Sequence, residues 1–224
     1  GRTGTVNTNW EDEAFQDAQT SQIELSAQGG NDKTKFFISG SINSQDGILI
    51  GNNFQRMGIR ANIDHQVNDW LKIGINAGLN KIVRNQVPLD NAFSTPMQAV
   101  ALAPITPVRD SLGRLFDRPV ATYYNPLIEI EETQRKSEGF RNQGSIYLEA
   151  KLAKGLIAHA DMGLDMIIQN SNNWWGPRTL VGAATPLQSG AATSEWFRNT
   201  RWMTNNYLSY KTTFGEKHKL DVTG

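Results

Sequence analysis

The sequence of 224 residues has no cysteine, which excludes a disulfide framework and a thiolate metal site. It also lacks an excess of charge, because 22 basic residues balance 22 acidic ones, and this balance argues against a nucleic-acid partner. No apolar run reaches the length of about 18 residues that a transmembrane helix requires. The 38% of hydrophobic residues is still typical of a folded chain.

Metal-binding and catalytic patterns are lacking as well. His65, His159 and His218 lie on separate segments without a His-x-x-x-His spacing, so we expect no metal site. Neither a Gly-x-Ser-x-Gly elbow nor a phosphate-binding glycine loop occurs. We therefore expect no catalytic residues, no cofactor and no enzymatic activity.

The strongest pattern present is a strict alternation of apolar and polar residues. In Leu71–Asn80 the odd positions are apolar and the even positions are polar or glycine. A period of two is typical of a β-strand whose two faces meet different environments. The alternation predicts about eight strands, at Gln19–Gln28, Thr34–Ser44, Arg56–Asp64, Leu71–Asn80, Phe140–Leu152, Leu156–Ile168, Arg198–Phe214 and Lys219–Thr223.

The connections between these strands alternate in length. Short turns rich in Gly, Asn, Asp and Lys are predicted at Gly29–Lys33, Val67–Trp70, Ala153–Gly155 and Gly215–His218. Long loops are predicted at about 45–55, 82–139 and 169–197. In an antiparallel meander, this order places the short turns at one end of the sheet and the long loops at the other.

Short helices are expected outside the strands. Thr95, followed by a proline and a glutamine, predicts a capped helix over Pro96–Ala103. Thr8 or Asn9 predicts a second helix, because acidic residues follow in its first turn. A third is predicted from Asn125 through Glu132, and the neighbouring run of Glu129, Glu131 and Glu132 is expected to be a solvated loop face.

Two architectures fit the alternation. One is a soluble antiparallel sheet with its apolar face on a core. The other is the wall of an outer-membrane β-barrel, with its apolar face toward lipid and its polar face toward a wet lumen. Several runs reach about ten residues, which is the length of a tilted membrane strand and longer than most soluble strands. Strand length and the one-sided long loops favour the barrel.

The strand count alone fits a small closed barrel, but the ends of the sequence favour part of a larger one. The chain begins at Gly1 with no signal segment and stops at Gly224, directly after an unfinished strand. We expect the whole chain, residues 1–224, to be a partial barrel domain. Barrels of about 22 strands enclose a plugged lumen.

Several segments resemble the SusC/RagA family of TonB-dependent transporters. Asn9–Phe15 (NWEDEAF) is similar to the Trp-x-Asp-Glu segment before an early barrel strand, and Leu25–Gly30 (LSAQGG) to the turn that follows it. Phe37–Ser41 and Gln45–Ile48 resemble the next strand and loop. The strongest match is Arg60–Gly74, with the sequence RANIDHQVNDWLKIG. The resemblance covers nearly the whole chain and thins in Pro107–Tyr124 and Trp174–Ser194.

The resemblance implies an up-and-down transmembrane barrel of about 22 strands with a plug in its lumen. It implies a multi-pass location in the outer membrane of a Gram-negative bacterium and energy from TonB, which acts through a plug region not in this chain. It also implies a SusD-like surface lipoprotein that helps to capture oligosaccharides or peptides. The motifs lie in strands and turns, so they leave the substrate open.

Residue roles follow from the barrel interpretation. Aromatic residues assigned to the long loops are candidates for stacking on sugar rings or peptide side chains, namely Tyr123, Tyr124, Trp174, Trp175 and Trp196. For each of them, packing within the loops or against the lipoprotein is the other interpretation. The apolar row is expected to face outer-membrane lipid, through Ile59, Ile63, Leu71, Ile73, Ile75, Leu79, Leu148, Met162, Leu164 and Met166.

We therefore expect part of the barrel of an outer-membrane nutrient importer for glycans or peptides. A passive porin is an alternative in the same membrane, and it would lack the plug. A soluble, secreted carbohydrate-binding sheet is an alternative of a different class, and it would be extracted without detergent.

Overall fold

The computed structural model describes residues 5–86, 97–215 and 218–224. Its eight strands form one sheet in which each strand pairs antiparallel with its neighbours along the chain. The predicted all-β, up-and-down antiparallel architecture is confirmed. The strands are β1 (Thr20–Gly30), β2 (Thr34–Asp46), β3 (Asn53–Gln66), β4 (Leu71–Gln86), β5 (Thr133–Ala153), β6 (Leu156–Trp175), β7 (Ala191–Phe214) and β8 (His218–Thr223).

Four short helices accompany the strands in the described part of the chain. They are α1 (Trp10–Ala14), α2 (Met97–Ala101), α3 (Pro126–Glu131) and α4 (Leu180–Ala183). The Asn9 and Asn125 side chains cap α1 and α3, as the sequence predicts. The predicted cap Thr95 and first residue Pro96 lie outside the described residues, and the helix ends at Ala101 rather than Ala103. Helix α4 was not predicted.

The strands on the loop side are longer than the alternation predicts. β5 begins at Thr133 rather than near Phe140, and β6 continues to Trp175. The reason is that the backbone ladder does not require one apolar face, so pairing continues where both faces are polar. The predicted long loops are therefore shorter than expected, and residues 176–190 connect β6 to β7.

The short turns are held by side-chain and backbone geometry. In the turn from β1 to β2, Asn31 Oδ1 accepts hydrogen bonds from the backbone N–H of Lys33 and Thr34, at 2.9 and 2.8 Å. Gly155 in the turn from β5 to β6 has φ +78, and a Cβ there would approach the Lys211 carbonyl oxygen to 2.1 Å. The predicted turns after β1, β3 and β5 are thus confirmed, with a clear requirement for glycine at position 155. The predicted turn at Gly215–His218 includes residues 216 and 217, which lie outside the described ranges.

The buried apolar residues lie beside the loop end of the sheet and not against its faces. Trp10, Ala14, Leu49, Ala99 and Leu102 form one cluster that joins α1, the β2–β3 loop and α2. We call this cluster and the loops it joins the loop cap. None of the helices in the described ranges is long and apolar enough to cross a membrane.

Candidate functional site

The polar side chains of the sheet line a concave surface. An open cavity of about 780 Å³ reaches from β1 to β7, and most side chains around it share a face with Asn76 of β4. A cavity that crosses so many strands requires the sheet to curve toward it. We call this face the polar wall, and the opposite, apolar face is therefore convex.

Tyr147 links three strands of the polar wall near the short turns. Its ring lies over Gly74 of β4, where an added Cβ would come within 1.9 Å of the ring. Its hydroxyl donates a hydrogen bond to Asp64 of β3, and Lys72 Nζ lies 3.6 Å from the same carboxylate. The glycine in the polar row thus leaves room for an aromatic side chain from the next strand.

A stack of three rings continues the polar wall across β5, β6 and β7. The His159 ring lies between Tyr147 and Tyr207, with centroids 5.6 and 4.7 Å away and planes within 18° of parallel. His159 Nε2 is 3.5 Å from Asp161 Oδ2, and Asn205 Nδ2 donates to the same carboxylate at 3.2 Å. The stack gives this end of the wall an aromatic surface with polar edges.

Arginines occupy the middle of the polar wall. Arg141 donates two hydrogen bonds to Asp165, at 3.0 and 2.8 Å, which is the bidentate geometry of a strong ion pair. Arg56 donates to the Asn80 side chain at 3.2 Å. Arg60 and Arg201 also line the cavity. The centre of the wall therefore carries guanidinium groups in excess of carboxylates.

The convex face carries all ten residues that the sequence assigns to lipid. Register places Ile59, Leu79 and Ile75 on one side with Leu148 and Met162. These side chains are exposed, with Ile59 at 59% and Met162 at 57%, because no second layer covers them in the described residues. Their contact with lipid stays a prediction, but their uncovered apolar surface is far larger than soluble proteins usually expose.

Buried and paired charged side chains link the connection between β4 and β5 to the connection between β6 and β7. Glu129 is 1% exposed and accepts a hydrogen bond from the backbone N–H of Leu180, at the start of α4. Burial raises the pKa of the Glu129 carboxyl, and the Leu180 N–H only partly offsets this effect. Arg178 pairs with Glu132 through its Nε, at 2.6 Å, and with Asp117 at 3.3 Å.

The expectation that Glu129, Glu131 and Glu132 form a solvated face is therefore wrong for two of the three. Glu129 is buried and Glu132 is ion-paired, whereas Glu131 is exposed. The sequence could not indicate this, because their partners Leu180 and Arg178 lie about fifty residues away in the chain. Only the approach of the two loops brings these groups together.

The aromatic candidates are not gathered into one site. Trp174 and Trp175 belong to β6 and Trp196 to β7, so their assignment to loops is wrong. Register places Trp174 and Trp196 on the convex face, and Trp175, as the next residue, on the opposite face. Tyr124 is 7% exposed, and its hydroxyl accepts a hydrogen bond from Arg118.

Tyr123 packs against the buried cluster of the loop cap. The two tyrosines thus support the interpretation of packing within the loops. A binding role for any of the five aromatic residues stays a prediction. Among the residues that the structure describes, no group of histidines and acids could hold a metal ion.

No family model matches the chain. It is 27% identical to TonB-dependent receptor P3 of Formosa agariphila over 99% of its residues, and 23% identical to TonB-dependent receptor P26 of the same organism over 97%. The RagAB peptide importer in its closed-closed state matches the structure with a TM-score of 0.81 over 98% of the chain, at 21% identity. The open-open state matches with a TM-score of 0.78, at 23% identity.

The fold is that of a TonB-dependent receptor barrel. The resemblance stated from the sequence is therefore confirmed. The chain spans 22% of the length of the two curated TonB-dependent receptors and 25% of the closed-closed RagAB chain that it matches.

One feature of this barrel wall was missed from the sequence. Arg56 and Arg60 are visible in the polar row of β3, but Arg141 and Arg201 come from strands far along the chain. The registers of β4–β5 and β6–β7 bring the four arginines onto one face. The alternation within each strand places every one of these arginines in the polar row of its own strand. Only the order and pairing of the strands show that the four polar rows form one face.

Proposed function

We propose that this chain forms part of the wall of an outer-membrane, TonB-dependent importer. The observation that carries the proposal is the pairing of an uncovered apolar convex face with a polar concave face. Hydrocarbon on one side and a wet lumen on the other satisfy both faces at once, since neither has a second protein layer among the described residues.

The chemistry of the longest strands supports a membrane boundary part-way along the sheet. β5, β6 and β7 have 21, 20 and 24 residues, whereas a tilted strand crosses the hydrocarbon layer in about 9–11. On the convex face the apolar row of β5 ends at Phe140 and continues as Glu138 and Lys136, which form an ion pair at 3.0 Å. The loop-side end of β5 is therefore suited to water on both faces and extends above the bilayer.

The whole importer would be a barrel of about 22 strands with a plug, energised through TonB. The loop cap lies at the end of the sheet opposite the short turns, which is the extracellular end in bacterial barrels. We assign it to contact with a SusD-like surface lipoprotein and with an oligosaccharide or peptide ligand. The protein is a transporter and not an enzyme.

The dependence of uptake on TonB tests this function directly. In the bacterium that carries the protein, deletion of its gene should abolish growth on the imported oligomer, and depletion of TonB should have the same effect. A passive porin would continue to support growth after TonB depletion. A protein that leaves the cell envelope without detergent would be a soluble module, and this result would overturn the membrane assignment.

A further inference from the structure

The lysines and arginines of the convex face lie only at its loop-side end. Register places three of them on this face, namely Lys81 of β4, Lys136 of β5 and Arg198 of β7. Toward the short turns, the convex face of the described strands carries neither lysine nor arginine. The other lysines and arginines of these strands lie on the polar wall. The two ends of the convex face therefore differ in charge.

Two of the three cations lie on one row across the sheet. The row follows cross-strand pairs in the order Lys81, Phe140, Ile168 and Arg198. Three strand spacings of about 4.8 Å separate its ends, which is roughly 14 Å. Beyond Phe140 and Ile168, toward the loops, this face of β5 and β6 carries mostly polar residues. The row thus lies at the membrane boundary that the apolar band defines.

Both side chains of this row are placed along the convex surface. Lys81 Nζ lies 5.5 Å from the centroid of the Phe140 ring, so its aliphatic stem lies along the apolar band while its charge stays at the edge of that band. Arg198 is exposed, and its Nε donates a hydrogen bond to Thr200 Oγ1 on the same face, at 3.4 Å. Each cation can therefore reach the headgroup layer of a bilayer.

The charge of this part of the face is positive. Among the residues described on the convex face of β4 to β7, Glu138 is the only acid. It pairs with Lys136 at 3.0 Å, and Lys81 attracts it over a longer distance. Lys81 and Lys136 belong to β4 and β5, whose neighbours in the sheet, β3 and β6, are part of this chain. Strands from elsewhere in the barrel therefore do not flank these two cations.

We propose that the convex face binds a phosphorylated glycolipid of the outer leaflet, with one phosphate group at Lys81 and another at Arg198. Cationic side chains at the level of the headgroups attract anionic lipids, and a guanidinium group can donate two parallel hydrogen bonds to one phosphate. Lys81 and Arg198 are too far apart to share a single phosphate, so the row suits a headgroup with a phosphate at each end.

The position of the row selects the leaflet. The loop-side end of the sheet is the extracellular end in bacterial barrels, and phosphorylated glycolipid is the main lipid of the outer leaflet of a Gram-negative outer membrane. The absence of lysine and arginine from the short-turn end of the same described face agrees with a lipid that is present in one leaflet only. This inference rests on the proposed importer function and names the lipid that its barrel wall holds.

The charge variants Lys81→Gln and Arg198→Gln test the proposal in the complete transporter. Each variant removes one cation at the headgroup level, so the affinity for the glycolipid should fall about fivefold, and roughly 25-fold in the double variant. Lys81→Arg keeps the charge and should keep the affinity. Lys154→Gln is the matched control, because Lys154 is an exposed cation in the short turn between β5 and β6. Its affinity should equal that of the unaltered protein.

Native mass spectrometry of the delipidated transporter in detergent supplies the affinities. The probes are lipid A with two phosphate groups, the same lipid without phosphate, and phosphatidylglycerol. Binding of phosphorylated lipid A that is stronger than binding of the other two lipids, and weakened by the variants at positions 81 and 198 only, supports the proposal. Equal binding of both forms of lipid A, equal affinities in all variants, or equally strong binding of phosphatidylglycerol would overturn it.

A second copy of the chain is the competing occupant of this face. Arg198→Cys in the complete transporter, expressed in the outer membrane, should give no cross-link between copies under oxidising conditions. A cross-linked dimer would show that protein covers the row and would overturn the proposal. Because Lys81 and Arg198 lie at the surface of the sheet, their glutamine variants should assemble, as the shift in gel mobility on heating of folded barrels will show.

The importer proposal and the lipid proposal fail in different ways. If the importer function is wrong, the unaltered protein will be absent from the outer membrane or its uptake will not depend on TonB. If only the lipid inference is wrong, the unaltered protein will assemble and import, but Lys81→Gln and Arg198→Gln will leave the affinity for lipid A unchanged.

Discussion

The two neighbouring residues Ile75 and Asn76 provide the sharpest test of which face meets lipid. They lie at the middle of β4 and point to opposite faces, since successive strand residues alternate. Ile75 is 47% exposed on the convex face, between Ile63 and Ile146 of the flanking strands. An arginine at position 75 would therefore place its charge in hydrocarbon, and an arginine at position 76 would place it in the wet lumen.

The expected magnitudes differ clearly. Arginine at the bilayer midplane of a barrel costs about 2–4 kcal/mol, so Ile75→Arg should lower the folding equilibrium constant by a factor of roughly 30 to 700. Asn76→Arg loses the hydrogen bond from Asn76 Nδ2 to Ser145 Oγ, of 3.2 Å, which contributes about 0.5–1.5 kcal/mol at most. Met162→Lys, also on the convex face, should behave like Ile75→Arg.

Assembly into the outer membrane is the appropriate measurement. Folded barrels migrate differently on gels before and after heating, and the folded fraction in urea gives the free energy of unfolding. We expect a large loss of folded protein for Ile75→Arg and Met162→Lys, and near-normal assembly for Asn76→Arg. Equal assembly of all three variants, or a greater loss for Asn76→Arg, would refute the assignment of the convex face to lipid.

Three further predictions concern the turns and the loop cap. Gly155→Ala should destabilise the barrel by about 1–3 kcal/mol in urea unfolding, because φ is +78 and the Lys211 carbonyl oxygen leaves no room for a Cβ; unchanged stability would contradict the close approach. Trp10→Ala should lower the free energy of unfolding of the loop cap by about 3–5 kcal/mol, because Trp10 is buried. Limited proteolysis should then cut the loops of this variant faster, whereas Trp70→Ala, in an exposed turn, should leave the cap protected. Because the pKa of Glu129 is raised, the folded cap binds a proton at this carboxyl more readily than the unfolded chain does. The contribution of Glu129 to cap stability therefore falls as pH rises from the ordinary pKa of 4.5 through the raised pKa. Proteolysis rates of the unaltered protein and of Glu129→Gln should diverge as pH rises through that window, and parallel profiles would show that Glu129 does not titrate there.

The alternation in the sequence predicted the strands well where one face is apolar. β3 and β4 were recognised because Ile59, Ile63 and Ile75 alternate with polar residues or glycine. The loop-side halves of β5 and β6 were missed, since Glu138 and Asn170 lie on the same face as Phe140 and Ile168 and interrupt the alternation. Beyond Phe140 and Ile168 the convex face of β5 and β6 carries mostly polar residues, so the period of two disappears while the backbone pairing continues.

The helices were likewise predicted only where the local sequence contains the signal. α1 and α3 were predicted because an asparagine caps each first turn within the local sequence. α4 has only four residues and a threonine cap, Thr179, in a loop already rich in small polar residues. Its position depends on Glu129, which holds the Leu180 N–H from another loop, and no local pattern carries that information.

The sequence by itself determined the alternation of faces and the short turns, because each of these depends on residues a few positions apart. The tertiary structure decided which side of the sheet is concave, and which distant residues meet there. Tyr147 reaches Asp64 across 83 positions, and Arg60 comes into line with Arg201. The physical reason is that curvature and cross-strand register are properties of the assembled ladder of hydrogen bonds, which no single strand possesses.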